Sequence, residues 1–200
     1  MVKSWNDESG DWQGLASAVQ APRYQAIARM IDRICPTGSV LDVGCGEAVL
    51  RDYLSNGAKY LGIEPSAKAS DSARAKYACD FVLHTTGEDF DAAECRWDCI
   101  VFNEVLYYCL DPLALLGKYA KLLRSGGIII VSIYQKPDNA IKTRLVQWLG
   151  RRRSISNARC TKMVRDLMVR DGWLIELDES IARPGSTEHW RIWAAKPRRP

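Results

Sequence analysis

The chain has 200 residues, an apolar fraction of 47%, a charged fraction of 26% and a formal net charge of +4. That length allows one domain with a sizeable core, and so small a basic surplus does not by itself imply a nucleic-acid partner. No apolar run approaches the roughly 20 residues of a bilayer span, the first residues lack the apolar core of a signal peptide, and seven scattered cysteines without a C-x-x-C pair suit a reducing cytoplasm and no metal site.

Residues 1–20 are polar, with Trp5 and Trp12 as their large apolar groups, and are expected to form a flexible segment or a lid. From Pro22 the spacing turns helical, with Tyr24, Ile27, Ile31 and Ile34 on one face, until Pro36-Thr37-Gly38 stops the run. Residues 39–43 predict a short buried strand that leads into Gly44-Cys45-Gly46, and residues 47–55 predict a helix. A second strand at 60–63 ends in Glu64-Pro65-Ser66, and an alanine-rich helix follows at 67–78. Strands are expected at 81–85 and 97–102, then an amphipathic helix at 112–123 with proline in its first turn.

Ser125-Gly126-Gly127 turns the chain into its most apolar strand, 128–133. Helices at about 139–149 and 161–170 precede two late strands, 173–177 and 190–194. Strand–helix alternation with continuously apolar strands predicts an α/β fold, a doubly wound and mostly parallel sheet. The last two strands, joined without a helix, predict an antiparallel addition at the C-terminus. One domain is expected over 21–200, with 135–160, rich in Trp, Lys and Arg, as an insertion able to cover a substrate.

The turn at Gly44-Cys45-Gly46 carries the most information. Glycines between a strand and a helix let the backbone bend tightly and let a ligand approach without meeting a Cβ, and a helix start offers N–H groups to it. Glu64 ends the next strand on the same rim, where a carboxylate can accept from two ribose hydroxyls. A nicotinamide dinucleotide uses the same layout, but its fingerprint needs a third glycine, and that position holds Val49. Asp42 would also repel a pyrophosphate, whereas it suits an adenosyl ligand with a cationic amino-acid tail.

With these residues the chain resembles the class I S-adenosylmethionine-dependent methyltransferases. V-L-D-V-G-C-G-E is similar to their first motif, departing at Ala48, where a further glycine is common, and G-I-E-P-S to their second. T-T-G-E-D-F is similar to the third, with Thr86 where an acid often reads the adenine amino group. D-C-I-V-F-N-E-V-L-Y-Y and L-L-R-S-G-G-I-I-I-V-S complete a likeness that runs from about 39 to 132, with Ser125 where proline is usual. The resemblance implies a seven-stranded, Rossmann-like methyltransferase fold with S-adenosylmethionine as methyl donor. It implies a donor site at Asp42, Gly44, Cys45, Gly46, Glu64, Pro65 and Asn103, with the adenine near Thr86, Gly87 and Glu88.

A sulfonium methyl is already electrophilic, so the protein chiefly aligns a nucleophile, and a base is needed only when that nucleophile arrives protonated. The acceptor-side candidates are Glu104, Tyr107 and His189. Glu104 can orient or deprotonate an amine or hydroxyl, or it can cap the turn that follows. Tyr107 and Tyr108 can line an acceptor pocket or simply pack, and His84 reads as a strand-end histidine. Arg151-Arg152-Arg153 reads as a solvated helix end or an anion site. The expected activity is transfer of a methyl group to a nitrogen or oxygen of a small molecule. An RNA or protein methyltransferase and a non-catalytic donor-binding domain are the alternatives. The sequence leaves the acceptor and the oligomeric state open.

Overall fold

The computed structural model describes residues 14–77, 81–92, 94–136 and 156–198. Residues 1–13 with Trp5 and Trp12, the expected helix at 139–149 and Arg151–Arg153 lie outside the described residues, as does most of the expected insertion.

Seven strands form a single sheet in the order β3-β2-β1-β4-β5-β7-β6. They are β1 (Ser39–Val43), β2 (Lys59–Glu64), β3 (Val82–His84), β4 (Trp97–Asn103), β5 (Leu123–Gln135), β6 (Leu174–Ala182) and β7 (His189–Lys196). The first five pair in parallel, and β7 runs antiparallel to both β5 and β6, as the late strands predicted. Successive connections carry the chain from β1 outward to β3, then back across β1 to β4. The order therefore reverses between β1 and β4, which opens a crevice at their carboxyl ends.

The helices are α1 (Ala21–Ile34), α2 (Ala67–Tyr77), α3 (Pro112–Ala120) and α4 (Asn157–Arg170). One sheet face presents Val40, Cys99, Val101, Ile128, Ile130, Trp190 and Ile192 to Ile27, Met30 and Ile31 of α1. The other presents Leu41, Val43, Ile100, Phe102, Ile129 and Val131 to Leu115 and Tyr119 of α3 and Val164 and Met168 of α4. Alternate residues of the central strands thus feed opposite cores, which is why those strands read as unbroken apolar runs. The caps follow from sequence. Asp111 accepts from the amides of Leu113 and Ala114 ahead of α3, and Ser156 accepts from Arg159 at the start of α4.

Two expectations need correction. The helix expected at 47–55 is a 3-10 turn at Val49–Tyr53, because Ala48 takes a left-handed conformation (φ 57°) and breaks the helical path. Strand β5 begins earlier than expected, since Leu123 pairs with Trp97 before an irregularity in register and the strand then continues to Gln135. No helix among the described residues is long and apolar enough to cross a membrane.

Candidate donor and acceptor sites

The carboxyl ends of β1, β2 and β4 bring Asp42, Glu64 and Asn103 to one rim. Past β1 the chain turns at Gly44 (φ 71°) and Gly46 (φ 57°), conformations that cost other L residues about 1–2 kcal/mol. A Cβ on Gly44 would stand 2.5 Å from Cγ2 of Val105, so the glycine turn and the segment after β4 are in close contact. A Cβ on Gly46 would meet Cδ1 of Leu15 at 3.5 Å, so the described end of the N-terminal segment lies on this turn.

The turn does not present a row of free amides. The Gly44 and Cys45 amides both donate to the Ile63 carbonyl, at 2.8 and 3.1 Å. The Gly46 amide donates to Glu64 Oε2 at 2.8 Å, and the Ser66 amide donates to Oε1 at 2.8 Å. Glu64 thus clamps the ends of two loops. It is buried, which lifts its carboxyl above the usual range, while the Ser66 and Gly46 bonds act in the opposite direction. Each oxygen still has a lone pair beyond the one used, so two ribose hydroxyls can donate without breaking the clamp.

Asp42 is buried at the end of β1. The Tyr60 hydroxyl donates to its Oδ2 at 2.8 Å, whereas Oδ1 has no partner. Burial pushes this carboxyl up to about 7, against the pull of the Tyr60 bond. An unpartnered buried carboxylate oxygen is costly, and a ligand's ammonium would satisfy it. Cys45 turns its sulfur under the loop against Gly62, and burial raises its thiol pKa. The Pro65 carbonyl accepts from Nε2 of His84 at 3.1 Å, which gives His84 a structural partner.

At the β3 end, the Thr86 hydroxyl donates to Asp89 Oδ2 at 2.7 Å and accepts from the Asp89 amide at 3.0 Å. A carboxylate therefore stands beside the position where the sequence has only a threonine. The Gly87 carbonyl accepts from the Tyr119 hydroxyl at 3.0 Å, and the Glu88 carbonyl from Lys118 at 2.7 Å, which pins this loop onto α3. Asn103 ends β4 and accepts a 2.7 Å bond from the Ser132 hydroxyl.

The next residue, Glu104, is left-handed (φ 66°) although it is not glycine. Its Oε2 lies 3.1 Å from Nη1 of Arg23 and accepts from the Tyr107 hydroxyl at 3.1 Å. The structure brings Glu104 and Tyr107 together. It places His189 at the start of β7, where strand alternation puts it on the face opposite Trp190. Tyr108 packs its ring on Tyr107 at 4.5 Å and is exposed.

Arg23, Tyr60, Asp89 and Val105 were not evident as site residues. For Arg23 a signal existed: it falls four residues before Ile27 and eight before Ile31, a charge on the apolar stripe of an amphipathic helix.

A family profile described as a methyltransferase domain matches residues 17–194. Among curated proteins, the ubiquinone biosynthesis O-methyltransferase of Bradyrhizobium sp. (strain ORS 278) is 35% identical over 130 residues, covering 56% of this chain and 48% of that protein. That of Cereibacter sphaeroides (strain ATCC 17025) is 29% identical over 120 residues with the same coverage. The chain spans about half the length of the curated relatives it matches. Among solved structures, the N-methyltransferase NodS from Bradyrhizobium japonicum WM9, in complex with S-adenosyl-L-homocysteine, aligns with a TM-score of 0.69 at 16% identity, covering 94% of this chain and 93% of that one. Magnesium protoporphyrin IX methyltransferase from Synechocystis PCC 6803 aligns at 0.65 and 16%, covering 90% and 85%. At these identities the structural likeness shows the fold, a Rossmann-like sheet.

Proposed function

The chain belongs to the methyltransferase-domain family, and from that premise we propose that it transfers a methyl group from S-adenosylmethionine to an oxygen or nitrogen of a small-molecule acceptor in the cytoplasm. The observation that carries this reading is the pairing of two buried carboxylates on one rim: Glu64 clamping the glycine turn, and Asp42 with a free oxygen beside it. These groups fit the donor. Glu64 would receive the ribose hydroxyls, Asp42 the amino-acid ammonium, and the Thr86–Asp89 turn the adenine edge. Cys45, Pro65, Gly87, Glu88 and Asn103 complete the lining.

When bound, the donor supplies a methyl group already activated by a positive sulfur. What remains for the chain is to hold the partners in line, worth up to about 7–11 kcal/mol, and to keep water out. Leu15 lies over the glycine turn at Gly46. Glu104 and Tyr107 stand across the β1–β4 crevice on the acceptor side, with His189 farther along the rim. The names of the relatives, two O-methyltransferases and an N-methyltransferase among them, support an acceptor presenting either atom.

The test is calorimetry with S-adenosylmethionine and S-adenosylhomocysteine. Micromolar binding to the unaltered chain is expected, weakened at least tenfold in Glu64→Ala and in Gly44→Val; equal binding in both variants would refute the site. Labelled donor incubated with a metabolite extract then identifies the acceptor by the product that gains the methyl.

A further inference from the structure

A cleft of about 540 Å³ opens at the amino ends of β4 and β5, the end of the sheet opposite the rim. That volume falls within the roughly 300–1,000 Å³ of small-molecule sites. Four segments each deliver a cation to it: Arg96 ahead of β4, Lys121 at the end of α3, Arg124 at the start of β5 and Arg198 after β7. Arg124 is countered by Asp98 at 2.7 Å, and Asp171, an acid on the lining, is taken by Arg170 at 2.7 Å. Arg96 donates to the carbonyl of its neighbour Cys95, at 2.9 Å, and neither Lys121 nor Arg198 meets a carboxylate among the described residues. The C-terminal ends of α3 and α4 also reach the cleft, through Lys121 and Asp171. Each helix end carries roughly half a negative charge, about one charge in all, which the three uncountered cations exceed. The lining is shaped as well as charged. Trp173 supplies an indole wall. Gly117 lies inside α3, where glycine weakens a helix relative to alanine. A Cβ there would meet nothing within 4 Å, so no described neighbour requires the glycine; its missing side chain leaves room in the cleft.

We propose that this cleft binds a nucleoside phosphate, its phosphates held by Arg96, Lys121 and Arg198 and its base laid on Trp173. Phosphate takes charge-assisted bonds from guanidinium and ammonium groups, and every base offers a π-face to an indole. Inorganic phosphate would answer the cations but leave the indole and the space at Gly117 unused. An uncharged ligand would leave three cations converging without a counter-charge. A long single strand calls for a basic track with successive aromatic rings. Here one ring and three uncountered cations meet in one cleft, which suits a single nucleotide. The site is separate from the donor rim and independent of the methyl-transfer reading. Asp42 and Glu64 stand at the carboxyl ends of their strands, whereas Arg96 and Arg124 stand at the amino ends of theirs. The seven residues of β4, at about 3.3 Å each, lie between the two ends.

The experiment uses the full chain, with and without S-adenosylhomocysteine, and four probes at physiological salt: uridine diphosphate, uridine, pyrophosphate and a uridylate oligomer. Uracil is chosen because it lacks the adenine of the methyl donor. By calorimetry, uridine diphosphate should bind at least tenfold more tightly than uridine or pyrophosphate, and equally well when S-adenosylhomocysteine is present. In NMR it should shift the indole signal of Trp173, assigned through Trp173→Phe. Lys121→Ala combined with Arg198→Ala should weaken it at least tenfold. Gly117→Leu, which fills the cleft without changing its charge, should do the same with Tm held or raised. Both variants should keep S-adenosylhomocysteine affinity within twofold. Where Gly117→Leu does not fold, the double variant and the Trp173 signal decide the matter. Pyrophosphate binding as tightly as uridine diphosphate would reduce the cleft to a counter-ion patch and overturn the proposal. So would displacement of uridine diphosphate by S-adenosylhomocysteine, indifference to a folded Gly117→Leu, or tighter binding of the oligomer, which would mark an RNA-facing surface. Loss of S-adenosylhomocysteine binding alone would remove the methyl-transfer reading and leave this site standing.

Discussion

Asp42 shows how a single residue would tie the fold to the proposed donor binding. It is buried with one donor on Oδ2 and none on Oδ1, and its carboxyl is lifted to about 7 by desolvation. The folded chain therefore holds this proton more tightly than the unfolded chain, whose aspartates titrate near about 3.9. The stability this preference contributes is full below that lower value and is lost as the pH rises through about 7. A cationic tail placed against Oδ1 favours the charged form, so by linkage its binding expels the proton. Donor affinity should rise from about pH 5.5 to 7, by at most about tenfold per unit, and then level off. Calorimetry at pH 6 in buffers of different ionisation enthalpy should find a proton released on binding, and Asp42→Asn should show neither effect. An affinity that is flat across this range in the unaltered chain would take Asp42 out of the donor site. Asp42 and Glu64 were legible in the sequence because each ends a strand beside a glycine or proline turn. What Glu64 grips was not, since that depends on how the two loops close on each other.

Between elements, the tightest constraint is the contact of the glycine turn with Val105. The sequence marked the turn by its glycines but gave no sign of Val105, because a contact between β1 and the segment after β4 has no local pattern. Nor did it reveal that residues 47–55 would fail to make an α-helix, since the left-handed Ala48 is imposed by the return of the turn onto Ile63 and Glu64. The periodic elements, α1, α3, β1, β4 and most of β5, were readable because their burial follows their spacing. Two separable penalties attend Gly44→Ala. The positive φ costs about 1–2 kcal/mol, and the 2.5 Å approach to Val105 adds a steric cost. Truncation of Val105 to alanine removes the second but not the first. In chemical denaturation, Gly44→Ala with Val105→Ala should therefore be less destabilised than the sum of the single variants, by about 0.5–3 kcal/mol. Strict additivity would mean that the loops do not press on each other.

At the scale of the whole molecule, the sheet order, the crevice between β1 and β4 and the shared rim make donor binding and global stability one measurement. A ligand that binds only the folded chain adds about 2.7 kcal/mol at one hundred times its Kd. For a chain of this size each kcal/mol moves Tm by roughly 2–4 °C, so saturating S-adenosylhomocysteine should raise Tm by about 5–10 °C. Two variants separate the local from the global contribution. Asp98→Ala removes the carboxylate that accepts from the Ser39 amide and hydroxyl at the amino ends of β1 and β4, opposite the rim, and should cost about 1–3 kcal/mol. Its Tm falls, yet its ligand-induced rise should equal that of the unaltered chain. Glu64→Ala should lose on both counts, because the Gly46 and Ser66 amides lose their acceptor at about 1–3 kcal/mol each and the proposed ribose contact is removed with them. A full ligand-induced rise in Glu64→Ala would show that the clamp serves the fold alone, and would move the donor off this rim.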